Sequence, residues 1–277
     1  MPAPDMATAD RTEAFLTASP APVTTVPVGA VPDYSFIFVA YGTGPVLIGA
    51  ITSLATSIPD DVSYEVIVVD NEHPDHPDRA FRRLIVDTHG VRILRPGRNL
   101  GFGGGCNLGV AHSTGPVIGL LNPDVDLPRG WLSPLRAELD DGAAIAAPVL
   151  VDVDGTTQSA GHELLTDAFT APVVDAPAPG QTSRPDFASA ACWLMQRVTY
   201  EELGGFDASF FPAYYEDVDF ALRARTAGGT TVVGGVRVTH HRGGSTTTAA
   251  EPDTTPQRLR LLTKWPEFAV ADAGRSD

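Results

Sequence analysis

"YSFIFVAYGTGPVLIGAITSLATSIPDDVSYEVIVVDN", residues 34–71, decides the fold. Its first part, "YSFIFVAYG" (34–42), is a short apolar run rich in β-formers that ends in Gly, and it reads as a buried strand. "PVLIGAITSLATS" (45–57) sets Val46, Ile48 and Leu54 at helical spacing. "YEVIVVDN" (64–71) is a second buried strand that closes on Asp70 and Asn71. A strand that is apolar at nearly every position is covered on both faces. A helix between two such strands is a crossover, so the strands run parallel.

The same alternation continues downstream. "RAFRRLIVD" (79–87) reads as a basic amphipathic helix, "VRILRP" (91–96) as a third strand, "GCNLGVAHS" (105–113) as a short helix and "PVIGLLNPD" (116–124) as a fourth strand. The expectation is an α/β fold with a mostly parallel central sheet flanked by helices on both faces. In such sheets ligands sit beyond the carboxyl ends of the strands. Here those ends carry Tyr41, Asp70–Asn71 and Asn122–Asp124–Asp126, so a nucleotide-sized ligand is expected at that edge.

The second half has another texture. "IAAPVLVDVDGTTQSAG" (145–161) reads as a hairpin turning at Asp154–Gly155. Residues 162–186 are rich in Pro, Ala and Asp and read as a long loop. "FASAACWLMQR" (187–197) is a strand, "EDVDFALRARTAG" (216–228) a helix capped near Gly228, "TTVVGGVRVTHH" (230–241) extended, and "PQRLRLLTKW" (256–265) a last helix.

Bulk composition narrows the function classes. The chain has 277 residues, a net charge of −15 and a pI near 4.7, a surface that repels phosphate backbones and argues against a nucleic-acid partner. Its two cysteines, Cys106 and Cys192, make neither a disulfide framework nor a zinc cluster and suit a reducing compartment. No apolar run approaches the ~18 residues a membrane span needs. Residues 1–32, rich in Pro, Ala and acid, lack a basic start and a long apolar core; they read as a mobile tail rather than a secretory signal. A cytoplasmic protein is expected, compatible with a substrate held at the inner membrane face.

Four stretches carry chemistry. "RNLGFGGGCNLG" (98–109) contains fragments of a dinucleotide-binding fingerprint, yet it follows the third strand and lacks the acidic partner of a dehydrogenase. A loop whose backbone packs against a ligand, with Asn99 and Asn107 fixing it through side-chain bonds, fits better. In "LLNPDVDLPRGW" (120–131), Asp124 and Asp126 are two apart, and in an extended segment such residues point the same way. Two carboxylates there suit Mg²⁺ or Mn²⁺ beside a diphosphate, or they belong to a solvated Asp-Pro turn. In "FFPAYYEDVDFALRARTAGG" (210–229), Glu216, Asp217 and Asp219 follow directly on Phe210, Phe211, Tyr214 and Tyr215. Acids in a first helical turn favour the helix dipole, and Asp219 with Arg223 has the spacing of a surface pair. Neither explains the aromatics; a carboxylate in a semi-apolar cleft, made a better base by burial, does. In "VRVTHHRGGS" (236–245), His240 and His241 point to opposite sides, so only one of them faces the acids.

These four stretches, in this order and spacing, resemble family-2 inverting glycosyltransferases, in particular the rhamnosyltransferase-like bacterial branch. The resemblance runs over about residues 34–265. It implies a GT-A fold within 33–246, with a nucleotide-sugar-binding half (33–128) merged with an acceptor-binding and catalytic half (129–246), followed by a C-terminal helical segment and tail (247–277). It implies a nucleotide-diphosphate sugar donor, dTDP- or UDP-linked with rhamnose as the first expectation, and an acceptor hydroxyl on a glycan, a lipid-linked glycan or a small molecule. It also implies a divalent cation, Mn²⁺ or Mg²⁺. By position, Asp124, Asp126 and His240 look like the metal ligands and Asp217 like the catalytic base. Tyr41, Asp70, Asn99, Asn107 and Asp124 look like the donor contacts, and Phe211, Tyr214, Tyr215 and Glu216 like an acceptor platform. Two other readings use the same sheet. A nucleotidylyltransferase would need a basic phosphate loop after the first strand, which "AYGTGPVLIG" lacks. A relative that binds nucleotide sugars without chemistry would have lost acids that this chain retains.

Overall fold

The computed structural model describes residues 30–71, 91–241 and 252–269. The helix expected at 79–87, nearly all of the 1–32 segment, and residues 242–251 and 270–277 lie outside them.

Strand β1 (Tyr34–Ala40) is buried at every position. Phe36 and Phe38 face one side, against Leu47 and Leu54 of helix α1 (Gly44–Ser57), and Ile37 and Val39 face the other. This is the two-sided burial that a continuous apolar strand requires. Strands β2 (Tyr64–Asp70) and β3 (Arg92–Leu94) extend the sheet in parallel to one side of β1. Strand β4 (Val117–Leu121) pairs in parallel with its other side. The order β4-β1-β2-β3 therefore reverses its direction of growth at β1, and a crevice opens where the carboxyl ends of β1 and β4 diverge.

Helix α2 spans Gly101–Ala111, so it starts four residues earlier than the expected 105. The glycine run is thus the body of a helix and not a loop, and its reason is close packing. A Cβ on Gly105 would lie 2.7 Å from Val39 Cγ1, and one on Gly109 would lie 2.5 Å from Ile37 Cγ2. Bare backbone at these positions lets α2 settle directly on β1. Gly109→Ala is expected to lower stability by about 1–3 kcal/mol through overpacking, although Ala exceeds Gly in helix propensity by ~1 kcal/mol. A urea midpoint that rose in the variant would contradict this packing.

The rest of the chain completes the sheet. Strand β5 (Val125–Asp126) precedes helix α3 (Leu132–Asp140). Strands β6 (Ile145–Val151) and β7 (Thr157–Ser159) form the expected hairpin, with Gly155 at φ +85° in its turn. The expected loop at 162–186 is instead partly ordered into strands. β8 (His162–Leu164) pairs antiparallel with β9 (Thr170–Pro172), and β10 (Thr182–Ser183) joins the edge of the main sheet. Leu164, Val173 and Ala176 pack on the core there, so this stretch has apolar surface to bury despite its prolines. Strand β11 (Cys192–Gln196) lies antiparallel to β4, followed by helices α4 (Arg197–Glu202) and α5 (Glu216–Thr226). Strand β12 (Thr231–His240) pairs parallel with β6 and antiparallel with β5, and helix α6 (Thr255–Lys264) follows. Among the described residues the main sheet has ten strands, and its long path runs β10-β12-β6-β11-β4-β1-β2-β3. Cys106 and Cys192 are buried, and burial pushes both thiols up.

Asp219 is not the surface partner of Arg223 that its spacing suggested. It is fully buried and accepts from Arg223 Nε at 2.9 Å, Lys264 Nζ at 3.0 Å and Trp265 Nε1 at 2.9 Å. The last two come from the end of α6 and the residue after it, so one carboxylate ties the C-terminal helix to α5.

Candidate active site

A cleft of about 420 Å³ lies at the carboxyl edge of the sheet, over the divergence of β1 and β4. Val39 of β1 and Tyr41 just beyond it line the cleft, with Asn71 from the end of β2 and Asn122 and Pro123 from the end of β4. Asn99, Gly101 and Phe102 close one side; Ser189–Ala191, Tyr214, Glu216 and Asp217 close the other.

Asn71 shapes the first wall. Its Nδ2 donates to Gly101 O at 2.9 Å, and its Oδ1 accepts from Leu100 N–H at 3.3 Å. Asn99 Oδ1 accepts from Gly101 N–H at 2.7 Å. The two amides thereby pin the start of α2 to the end of β2. Asp70, the residue singled out at that strand end, does not line the cleft. It lies 3.4 Å from Arg95 Nε instead, because neighbouring residues of a strand face opposite ways. Asn107 is also not at the cleft. Its side chain donates to Phe206 O at 2.8 Å and accepts from Phe206 N–H at 2.9 Å and from the Tyr200 hydroxyl, so it fixes the loop before α5.

The opposite wall is built on a left-handed turn. Tyr214 and Tyr215 have φ of +78° and +69°, a region that bulky residues seldom occupy. The turn sends the two rings apart. Tyr214 lines the cleft, whereas Tyr215 is buried and donates to Ala168 O at 2.9 Å, which removes it from the expected acceptor platform. Phe211 is exposed and its ring stands beside Gly101, outside the cleft lining. Asp217 then sits in the first turn of α5. Its Oδ1 accepts from Val218 N–H at 2.8 Å and its Oδ2 from Ala190 N–H at 3.4 Å. Burial nevertheless dominates and pushes its carboxyl up to about 6. Glu216 beside it is held well above the usual carboxylate range, by burial first and then by the charge of Asp217.

The Asp124–Asp126 pair divides between the two histidines. Asp124, buried, has Oδ1 3.3 Å from His240 Nε2, while Asp126 Oδ2 lies 2.8 Å from His241 Nε2 at the rim. The expected trio of Asp124, Asp126 and His240 is therefore not assembled, and no three acid, His or Cys side chains among the described residues form a group able to hold a metal. Asp124 stands in the turn before β5 rather than in the strand, so it does not share a face with Asp126, which takes His241, the residue after β12, as its own partner. The Asp124–His240 half does suit a hard cation. Gln158 donates through Nε2 to Asp152 and to His240 O, so its Oε1 accepts from His240 Nδ1 at 3.0 Å. With Nδ1 so engaged, Nε2 is the ring nitrogen turned to the Asp124 carboxylate, and its lone pair is available to a cation held between the two. Asn122, on the cleft wall, reaches the same Nε2 at 3.5 Å. Tyr214 links this dyad to the other wall. Burial raises its phenol, and the nearby carboxyls of Glu216 and Asp124, which would be charged at the high pH where a phenol ionises, raise it further.

The glycosyl transferase family 2 profile matches residues 35–204. The chain belongs to that family. A family-2 glycosyl transferase with this sheet has the GT-A fold, and solved structures agree. GalNAc-T7 with UDP, GalNAc and Mn²⁺ superposes with a TM-score of 0.70 at 17% identity, over 86% of this chain and 50% of that one. S. aureus TarS residues 1–349 with UDP-GlcNAc superposes at 0.56 and 15%, over 84% and 66%. Among curated sequences, mouse polypeptide N-acetylgalactosaminyltransferase 15 is 27% identical over 134 residues, 47% of this chain and 21% of its own length. N-acetylglucosaminyl-diphospho-decaprenol L-rhamnosyltransferase of Mycobacterium tuberculosis is 29% identical over 241 residues, 74% of each chain. This family-2 chain spans only about a fifth of the mouse protein and half of GalNAc-T7. No helix among its described residues is long and apolar enough to cross a membrane.

Proposed function

We propose that this protein is an inverting glycosyltransferase, moving a sugar from a nucleotide-diphosphate donor to a hydroxyl acceptor. One observation carries the reading: Asp217, with its raised carboxyl, faces the cleft into which the strand ends of β1 and β4 open. In the proposed step the acceptor oxygen attacks the anomeric carbon and the bond to the diphosphate oxygen breaks. The acceptor's proton passes to Asp217 and the nucleoside diphosphate departs. A single displacement inverts the anomeric centre. Base assistance of this kind contributes typically ~10²–10⁴-fold.

Tyr41, Asn71 and Asn99 line the side assigned to the nucleotide. Asp124 and His240 would hold Mg²⁺ or Mn²⁺, with the diphosphate and water completing its shell. When bound, that ion offsets the charge growing on the departing diphosphate. Tyr214 offers the acceptor an apolar face and keeps water from the reacting centre. Similarity over 74% of the mycobacterial rhamnosyltransferase favours a rhamnosyl donor and a lipid-linked glycan acceptor, with UDP-linked sugars as the other class.

A thermal-shift panel of nucleotide sugars with and without Mn²⁺ tests the donor. A true donor at 100 times its dissociation constant adds ~2.7 kcal/mol to stability. The expected result is a rise with dTDP-rhamnose that grows with Mn²⁺ and shrinks in His240→Ala. A rise with every nucleotide but no transfer to any hydroxyl would favour a non-catalytic nucleotide-sugar binder. No rise with any of them would overturn the reading.

A further inference from the structure

Glu216 is the most unusual polar group in the cleft. It is 5% exposed, yet it lines the cavity. Its Oε2 is buried with no hydrogen-bond partner among the described residues. Its Cβ and Cγ lie against Gly103 of α2, each 3.6 Å from where a Cβ on that residue would stand. The titratable groups that face it are Asp217 on its own helix, Cys106 on α2 and Tyr214 in the preceding turn. All three are acids, and no described cation pairs with Glu216. A carboxylate buried with no cation, with one oxygen unpartnered and little more than its own backbone N–H to stabilise its charge, carries a large desolvation cost, and it avoids that cost by keeping its proton.

We propose that Glu216 is a specificity-determining residue that stays a neutral carboxylic acid and donates its proton as a hydrogen bond to a hydroxyl of the sugar in the cleft. The proposal rests on the glycosyl-transfer reading for its ligand, not for its protonation state. The two acids divide the work: Asp217 accepts a proton during reaction, and Glu216 keeps one to read the substrate. A site with such a buried donor rejects a deoxy analogue more strongly than an apolar wall does, because the donor is left unpaired.

Two measurements test this. The first is infrared difference spectroscopy of the free protein near pH 7.5, needing no substrate. The expected spectrum has a protonated-carboxyl carbonyl band that vanishes in Glu216→Gln and persists in Asp217→Asn. No such band, or one unchanged in Glu216→Gln, would overturn the proposal whether or not transfer is ever found. The second is the pH profile of transfer. Wild type should lose activity at alkaline pH as Glu216 ionises, and Glu216→Gln should lack that alkaline limb. Glu216→Ala should lower kcat/KM roughly 10–100-fold, and Glu216→Gln should recover most of that loss because an amide still donates. A Gln variant as impaired as the Ala variant, with its alkaline limb intact, would show a packing role only and sink the idea. If Asp217→Asn transferred sugar at the wild-type rate while the infrared band behaved as expected, the mechanism would fall and the neutral acid would stand.

Discussion

Asp217→Asn should lower the transfer rate about 10²–10⁴-fold, the range of a lost general base, while donor affinity measured by calorimetry stays near that of wild type. The residue lines the cleft wall opposite Asn71 and Asn99, the wall proposed for the nucleotide, so rate and binding should separate. The wild-type enzyme should also show a pH limb. Asp217 acts only when ionised, and burial places its carboxyl near 6. Rate therefore rises tenfold per pH unit below about 6 and levels off above it. The stability consequence has a definite sign. The folded carboxyl holds its proton more tightly than the unfolded chain, where Asp titrates near ~3.9. Wild-type stability thus falls as pH rises from there through about 6, and Asn removes that loss. The inactive variant should melt no lower than wild type at neutral pH. A flat rate across pH 5 to 8, or full activity in Asp217→Asn, would exclude Asp217 as the base.

Asp219→Ala should cost about 3 kcal/mol, the low end for breaking a buried charge pair because Lys264 and Arg223 still reach water. For a domain of this size that lowers the melting temperature by roughly 6–12 °C. Three donors converge on this carboxylate, and two of them belong to Lys264 and Trp265. Losing them frees the end of α6 from α5. Since α6 also holds the cleft-side loop through Gln257 Nε2 donating to Phe211 O at 3.2 Å, activity should fall along with stability. Hydrogen exchange that stayed slow through residues 255–264 in the variant would contradict this coupling.

How far the sequence could be read depended on the range of the forces involved. The crossover pattern of 34–71 and the return to β4 were legible because burial on two faces demands unbroken apolar runs. Acids packed against aromatics at the start of α5 marked a cleft-lining stretch for the same kind of local reason. The glycine run misled because loop and close-packed helix use the same residue. The contact that chooses between them, Gly109 against Ile37, is 72 positions away in the chain.

Side-chain destinations needed the tertiary structure. Asp126 and His241 are 115 residues apart and are brought together beside the β5–β12 ladder, while Asp124 stays in the turn before it. Asn107 is drawn to Phe206 across 99 residues, and Tyr215 to Ala168 across 47. The sequence by itself determined the parallel sheet, its crevice and the acids at its edge, since these follow from apolar periodicity and strand ends. Which acids face the cleft, which histidine Asp124 meets and which tyrosine lines the wall were decided only by folding, because strand register and a left-handed turn orient side chains and neither is written locally.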